Sequence, residues 1–396
     1  MSLLIGIGFS DGKDAYTVGA NACQDALRKT NVNNPLFGLV FVSSVYDHNK
    51  VIDGIRSVSK DIPLIGASSA GEIVHGNITN KNSVIVVFLG GNDVFFSSVL
   101  HKLDSSLTFD SLGKKIGQSL IREIGAKPNL SFMFTDVLSG VEQHRLVDSV
   151  FKTLKTPIFG GASADDFIFK RTFQYFKERV VFENVAMASV KGDFKFGLGM
   201  DNGMLPVGMP RLVTKSEGVN VYEIADKPAV SLYGEYFGYK DLQRFTAEPI
   251  GNLSLSYPLG YRWDISDEDI IIRSPLFLKS DGSLVCTDSI PKGSYVQIMI
   301  SDREEALNSV HRATKKAQVM IGENETASLA LVISSAGRKY SYGSSIDDEV
   351  KEVERCLNNK VPVVGFYSYG NIYAKDKDAS KESFFQDNSV SVCLLK

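Results

Sequence analysis

The sequence predicts an α/β protein built from repeated β-α-β-α-β-β units with mixed, partly parallel sheets, and three observations carry that reading. One short phrase is written three times: Ile62-Pro63-Leu64-Ile65-Gly66-Ala67-Ser68-Ser69-Ala70-Gly71-Glu72-Ile73, Thr156-Pro157-Ile158-Phe159-Gly160-Gly161-Ala162-Ser163-Ala164-Asp165-Asp166-Phe167, and Val361-Pro362-Val363-Val364-Gly365-Phe366-Tyr367-Ser368-Tyr369-Gly370-Asn371-Ile372. The pattern around each copy recurs as well, which marks an architectural repeat. Finally, strand-like and helix-like apolar runs alternate around each copy, and strand-helix-strand succession calls for parallel pairing through right-handed crossovers.

Taken in order, the first unit reads as a strand at 3–8, a helix at 14–29, a strand at 37–43, a helix at 51–60, and strands at 64–68 and 84–89. The second repeats this at 94–101, 111–124, 130–136, 141–154, 158–162 and 185–190, and the third begins near Tyr295 and ends at Leu395. Within each phrase the proline suits the first residue of a strand, where no ladder donor is lost, and the glycine permits close turns. Runs 36–42 and 130–134 are short and rich in Phe and Val, as strands buried on both faces are. Ser10-Asp11 and Ser301-Asp302 are positioned to cap the helices that follow. Leu112, Ile116, Leu120, Ile121 and Ile124 fall at helical spacing and form one apolar face. Long irregular joins at 69–82, 163–184 and 368–388 are of the kind that carry function.

Between 194 and 293 the pattern changes to a strand-rich insertion, with short strands at 211–214, 219–224, 270–272 and 283–287 and a helix near 228–237. Tyr257-Pro258-Leu259-Gly260 echoes the phrase with one residue missing. Gly203, Pro206, Gly208 and Pro210 cluster as a linker does. The expected domains are therefore 1–205, holding units 1–92 and 93–192, and 206–396, holding the strand-rich segment 206–293 and the third unit 294–396.

Composition excludes several classes. A chain of 396 residues buries a sizeable core without staples. A formal charge of −3 with interspersed signs gives no footprint for nucleic acid. No apolar run approaches the roughly 18 residues of a membrane helix, and a cytoplasmic location without membrane insertion is expected. Cys23, Cys286, Cys356 and Cys393 stand singly, as reduced buried thiols do. His48, His75, His101, His144 and His311 lack ligand spacing, so neither a metal nor a cofactor is expected. Gly6-Ile7-Gly8-Phe9-Ser10-Asp11-Gly12 resembles a dinucleotide fingerprint, but its last glycine is one place late.

Binding is the chemistry the pattern favours. Ligands of open α/β sheets lie beyond the C-terminal ends of the strands. Ser43, Ser44 and Asp47, then Thr135, Asp136 and Ser139, then Ser334, Ser335 and Arg338 gather at those ends, and the phrase adds Ser69, Glu72, Ser163, Asp165, Asp166, Ser368 and Asn371. A pocket shared between units would hold a zwitterion, with Asp136 or Asp166 taking an ammonium and Arg338 a carboxylate. The competing readings are a hydrolase using Ser69 with an Asp or a histidine such as His75 or His144, and a scaffold acting through its loops. The nucleophile-elbow spacing is absent at Ser69. For each candidate, a cap, a turn or an ion pair is the structural alternative.

Gly66-Ala67-Ser68-Ser69-Ala70-Gly71-Glu72, Pro157 to Asp166, Tyr257-Pro258-Leu259-Gly260, Ile272-Arg273-Ser274, Ile290-Pro291-Lys292-Gly293-Ser294 and Gly365 to Gly370, in this order, resemble the FIST sensory family over nearly the whole chain. The resemblance implies a bacterial intracellular sensor that binds small molecules such as amino acids and works with a separate signalling effector. Two departures stand out: Asn371 follows the final Tyr-Gly where the family has an acid, and Ala336 precedes Gly337-Arg338 where the family has Cys. They bear on the charge of the ligand.

Overall fold

The computed structural model describes residues 3–29, 37–74, 77–79, 82–103, 108–238, 251–267, 269–374 and 383–396. His75 lies outside the described residues. The α/β class stands, with parallel and antiparallel pairs mixed in each main sheet.

The first unit comprises β1 (Leu4–Asp11), α1 (Ala15–Lys29), β2 (Phe37–Ser43), α2 (His48–Ser59), β3 (Leu64–Ser69), β4 (Glu72–Val74), β5 (Asn77–Thr79) and β6 (Ser83–Gly90). The second comprises β7 (Val94–Lys102), α3 (Phe109–Ile124), β8 (Leu130–Thr135), α4 (Gln143–Leu154), β9 (Ile158–Ala162), β10 (Gln174–Phe176), β11 (Arg179–Val181) and β12 (Asn184–Gly192). The strand β13 (Phe196–Asp201) precedes the insertion, which holds β14 (Leu205–Glu217), β15 (Asn220–Ile224), β16 (Lys227–Pro228), α5 (Ser231–Phe237), α6 (Gly251–Ser256), β17 (Leu259–Arg262), β18 (Ile271–Arg273), β19 (Pro275–Leu278), β20 (Leu284–Cys286) and β21 (Tyr295–Ile300). After it come α7 (Arg303–Ile321), β22 (Leu329–Ser335), α8 (Arg338–Tyr342), α9 (Asp347–Cys356), β23 (Val363–Ser368), β24 (Asn371–Ala374), β25 (Ser383–Gln386) and β26 (Val390–Leu395).

Three six-stranded sheets share one strand pattern: β1-β6-β2-β3-β10-β11, β7-β12-β8-β9-β24-β25 and β13-β26-β22-β23-β4-β5. The first four strands of each come from one unit and the last two from another. The segments 69–82, 163–184 and 368–388 therefore contain hairpins that leave their own sheet and extend a neighbour's. β4 pairs β23, β10 pairs β3, and β24 pairs β9, closing a cycle of exchange.

Identical local chemistry supports each phrase. Pro63, Pro157 and Pro362 have no amide to give, but their carbonyls accept Gly38 N at 2.8 Å, Ser131 N at 2.9 Å and Ala330 N at 2.9 Å, opening the parallel ladders β2–β3, β8–β9 and β22–β23. The glycine that follows is obligatory at all three sites. A Cβ there would lie 1.8 Å from Val40 O at Gly66, 1.8 Å from Met133 O at Gly160 and 1.6 Å from Val332 O at Gly365.

The inner faces of the three sheets meet in one apolar centre, where Phe41 stacks on Phe366 at 4.6 Å and meets Phe134 edge-on at 5.7 Å. Helices cover the outside. α1 and α2 close over the first sheet through Val18, Ala22, Val51 and Ile55, while α3, α4, α7 and α9 share a second cluster with the outer faces of the other sheets. Leu112, Ile116 and Leu120 of α3 are buried as their spacing requires.

Three local expectations are corrected. Ser10 and Asp11 end β1 instead of capping α1, and Asp14 accepts Thr17 N at 2.8 Å there. Asp302 does cap α7, accepting Glu305 N at 2.8 Å. The edge strand of the third sheet is β13, whereas Tyr295–Ile300 pairs β14 and β17 in the insertion's own eight-stranded sheet. Leu259 opens a strand as its phrase-like context suggests, but β17 has antiparallel neighbours on both sides and forms no fourth parallel edge.

Candidate ligand site

Beyond the C-terminal ends of β22 and β23 the insertion closes over the third sheet and leaves a cleft of about 20 Å³. Ser335, Ala336, Gly337, Ser368 and Tyr369 form its floor, Asp387 and Asn388 its side, Leu255, Ser274, Leu276 and Thr287 its roof, and Phe169 its rim. Each wall is fixed by backbone hydrogen bonds: Ala336 N to Ser368 O at 2.7 Å, Ser335 N to Ser389 O at 2.9 Å and Thr287 N to Ser274 O at 2.9 Å. Two glycines permit the approach of the Asp387-Asn388 turn. A Cβ on Gly337 would lie 2.4 Å from Asn388 Oδ1, and one on Gly370, whose φ is +136°, would lie 2.2 Å from the Phe385 ring.

Asp387 is the chemical centre of the cleft. Its Oδ2 accepts Ser274 N at 2.7 Å and the Thr287 hydroxyl, while Oδ1 is buried without a hydrogen-bond partner among the described residues. Burial pushes this carboxyl up to about 6, with the nearby Arg273 guanidinium and the Thr287 hydroxyl limiting the rise. An acceptor left bare in a buried site is costly unless a ligand or water completes it.

Arg273 supports the site from behind. It is fully buried, donates to Ile272 O and Phe385 O at 3.0 Å each and to Ser289 O at 3.3 Å, and pairs with Asp288 at 3.3 Å. Asp288 also accepts His144 N at 2.8 Å and contacts His144 Nδ1 at 3.0 Å, which ties the insertion to the start of α4. Burial opposes ionisation of Asp288, but Arg273 and His144 outweigh it and hold the carboxyl below its ordinary value.

The residues singled out from sequence separate into groups. Ser368 lines the cleft, although its hydroxyl donates to Asn371 Oδ1 at 2.6 Å. Asn371 sits behind it, donating to Ile333 O at 2.9 Å and Ser389 O at 2.8 Å. Arg338 is 2% exposed and turned away: it binds Glu349 at 2.8 Å, Ala306 O at 3.0 Å, Tyr342 OH at 3.0 Å and Asn202 O at 3.1 Å. Arg338 is not among the residues that line the cleft.

Asp165 organises a turn, accepting Phe169 N at 2.9 Å, Lys170 N at 2.8 Å, Arg171 N at 3.0 Å and Tyr369 OH at 2.6 Å. Asp166, in the left-handed region at φ +53°, lies 3.9 Å from Lys339 Nζ, and that ammonium also reaches Ala70 O. Asp136 belongs to another junction, accepting Leu138 N at 2.9 Å and Glu183 N at 3.1 Å, and burial raises its carboxyl. Ser163 lies near it, accepting Gln174 Nε2 at 3.0 Å. At the first junction Ser69 and Ser83 both donate to Glu72, and burial pushes that carboxyl up to about 7 against those bonds. Tyr46 fills the space there, donating to Gly12 O at 2.6 Å and to Asn82 O.

Sequence reasoning passed over Asp387. Its signal is positional: Asn82, Glu183 and Asn388 each precede the last strand of a unit, and all three adopt positive φ. Arg273 and Ser274 had been visible only as part of a motif without an assigned role.

Comparison with known proteins adds the following. A model of the FIST N domain matches residues 36–227, and one of the FIST C domain matches residues 229–374. An uncharacterized protein of Methanocaldococcus jannaschii is 28% identical over 382 residues, covering 85% of this chain and 70% of its own length. Among solved structures, a chorismatase aligns over 100% of this chain and 99% of its own at 8% identity and a TM-score of 0.34. The cyanuric acid hydrolase from A. caulinodans aligns over 48% of this chain and 70% of its own at 8% identity and a TM-score of 0.30. Neither structural likeness is close enough to bear on chemistry.

Proposed function

The chain belongs to the FIST family, whose domains are of sensor type, and on that premise we propose that it is a non-enzymatic, cytoplasmic ligand sensor of signal transduction. Its ligand is a small molecule presenting a protonated amine, amino acids among them, bound in the cleft between the third unit and the insertion. The observation that carries this reading is the bare, buried Oδ1 of Asp387 on the cleft wall. An ammonium supplies both the charge and the donor that this oxygen lacks. Arg338 takes no part, because its donors are engaged by Glu349, Tyr342 and backbone carbonyls.

Size gives the signalling step. The cleft of about 20 Å³ holds one water, so an amino acid enters only if the insertion draws back from β22 and β23. Occupancy is thereby coupled to the position of the insertion, and the ligand shifts that equilibrium by its differential affinity for the open form. A separate effector protein would read the change by contact. A hydrolytic role for Ser69 is disfavoured, since the residue is 1% exposed and its hydroxyl donates to Glu72.

A thermal-shift screen of amino acids and simple amines tests the proposal. A ligand at about a hundred times its Kd stabilises by about 2.7 kcal/mol, and Asp387→Asn should remove that shift. Binding should strengthen as pH rises through about 6, where Asp387 ionises. A ligand whose shift is unchanged in Asp387→Asn would place the site elsewhere.

A further inference from the structure

We propose that His311, Glu352 and Cys356 form a binding site for a zinc-class divalent metal ion, separate from the cleft. Glu352 and Cys356 lie four residues apart on α9 and so share one face of that helix, against which α7 presents His311. Their donor atoms converge. His311 Nδ1 is 3.0 Å from Glu352 Oε1, Cys356 Sγ is 3.3 Å from His311 Nδ1 and 3.4 Å from Glu352 Oε1, and all three lie within 4.8 Å of one another.

These separations suit coordination. With metal bonds of about 2.0–2.3 Å, tetrahedral ligands stand roughly 3.3–3.6 Å apart, so the triangle needs adjustment of only a few tenths of an ångström. The donor set decides the class of ion. A thiolate, an imidazole and one carboxylate match borderline Zn²⁺, whereas Mg²⁺ and Ca²⁺ prefer oxygen alone. Binding replaces the Cys356 S–H proton, which leaves to solvent, with an Sγ–metal bond.

The site is accessible. His311 and Glu352 line a surface groove of about 410 Å³ shared with Glu304, Asn308 and Arg355, so a fourth position is open to water or to a small ligand. Arg355 holds both Glu352 oxygens at 2.8 Å, but its side chain is 71% exposed and is free to swing out when the metal arrives. The ligands are 41 and 45 residues apart in sequence, on two helices, which is why no ligand spacing shows in the chain.

The test uses the full chain, stripped with a chelator and titrated with Co²⁺ as a spectroscopic probe, followed by displacement with Zn²⁺. One Co²⁺ per chain should bind with a thiolate-to-cobalt absorbance, lost in Cys356→Ser, and Zn²⁺ should abolish the signal. His311→Ala, at a half-exposed position that leaves the core intact, should weaken Zn²⁺ binding by at least about tenfold, since even outer partners of such sites contribute that much. Absence of stoichiometric Co²⁺ binding, or an absorbance that persists in Cys356→Ser, would overturn the proposal.

Discussion

Glu72, Asp166 and Asn371 occupy one position in three copies of one phrase, and their fates show how context divides a repeated residue. Glu72 is fully buried between two serine hydroxyls, Asp166 stays half-exposed beside Lys339, and Asn371 uses its amide to satisfy two carbonyls. An aspartate could not donate either of those last two bonds. The departure at 371 therefore concerns the wall behind the cleft, and the acid that lines the cleft itself is Asp387. Glu72 yields a prediction with a definite sign. Its carboxyl is raised from 4.5 to about 7, so the folded state holds a proton that the unfolded state releases, and stability is lost as pH rises through that window. The shift corresponds to roughly 3 kcal/mol. Glu72→Gln should remove this dependence, so its stability relative to wild type should increase from pH 4.5 to pH 8 in urea titrations. A difference constant with pH would mean that Glu72 ionises normally.

At the scale of elements, the phrase is a device for bringing two parallel strands into close register. Proline opens the ladder through its carbonyl, and glycine lets the adjacent backbone approach without a side chain between. Alanine at Gly66, Gly160 or Gly365 would place Cβ within 1.8 Å of a carbonyl oxygen, and backbone cannot yield as a side-chain tip does. Each substitution should cost about 3 kcal/mol or more, measured as a lowered urea midpoint. A loss below about 0.5 kcal/mol at any of the three would show that the strands can part there, and the equivalence of the copies would fail. The Arg338–Glu349 pair belongs to this scale as well, because it joins the start of α8 to α9. Glu349→Ala leaves a buried guanidinium uncompensated and should cost about 3–5 kcal/mol.

At the scale of the whole molecule, the exchange of hairpins ties the sheet of each unit to strands of another. Each main sheet ends in two strands from a different unit, and the crossing amides alternate between copies: Ala70 N to Tyr367 O at 2.9 Å, Ala164 N to Ser68 O at 2.9 Å and Tyr369 N to Ala162 O at 3.1 Å. A unit excised from the chain would expose both the vacated sheet edge and the apolar inner face that meets the other two sheets. Residues 93–192 expressed alone should therefore lack a cooperative thermal transition, whereas the full chain should retain one. Cooperative unfolding of the excised unit would show that it supplies its own core.

Sequence by itself determined the α/β class, the threefold phrase and the alternation of strands and helices, because each of these is written in local periodicity and in residues whose roles are backbone roles; the likeness to the family rested on the ordered series of motifs. Pro63, Gly66 and their counterparts mean the same thing wherever they stand. Only the tertiary structure decided which polar residues share a space. Arg338 and Asp165 looked like ligand groups and proved to be engaged by Glu349 and by backbone amides, while Asp387, an ordinary acid at the end of a long join, became the bare acceptor of the cleft. His311 and Cys356 were likewise isolated along the chain and adjacent in space. The physical reason is that hydrogen-bond satisfaction is a property of neighbours: a side chain's availability is fixed by what folds against it, and those partners are set by the fold, as Glu349 beside Arg338 and Cys356 beside His311 show.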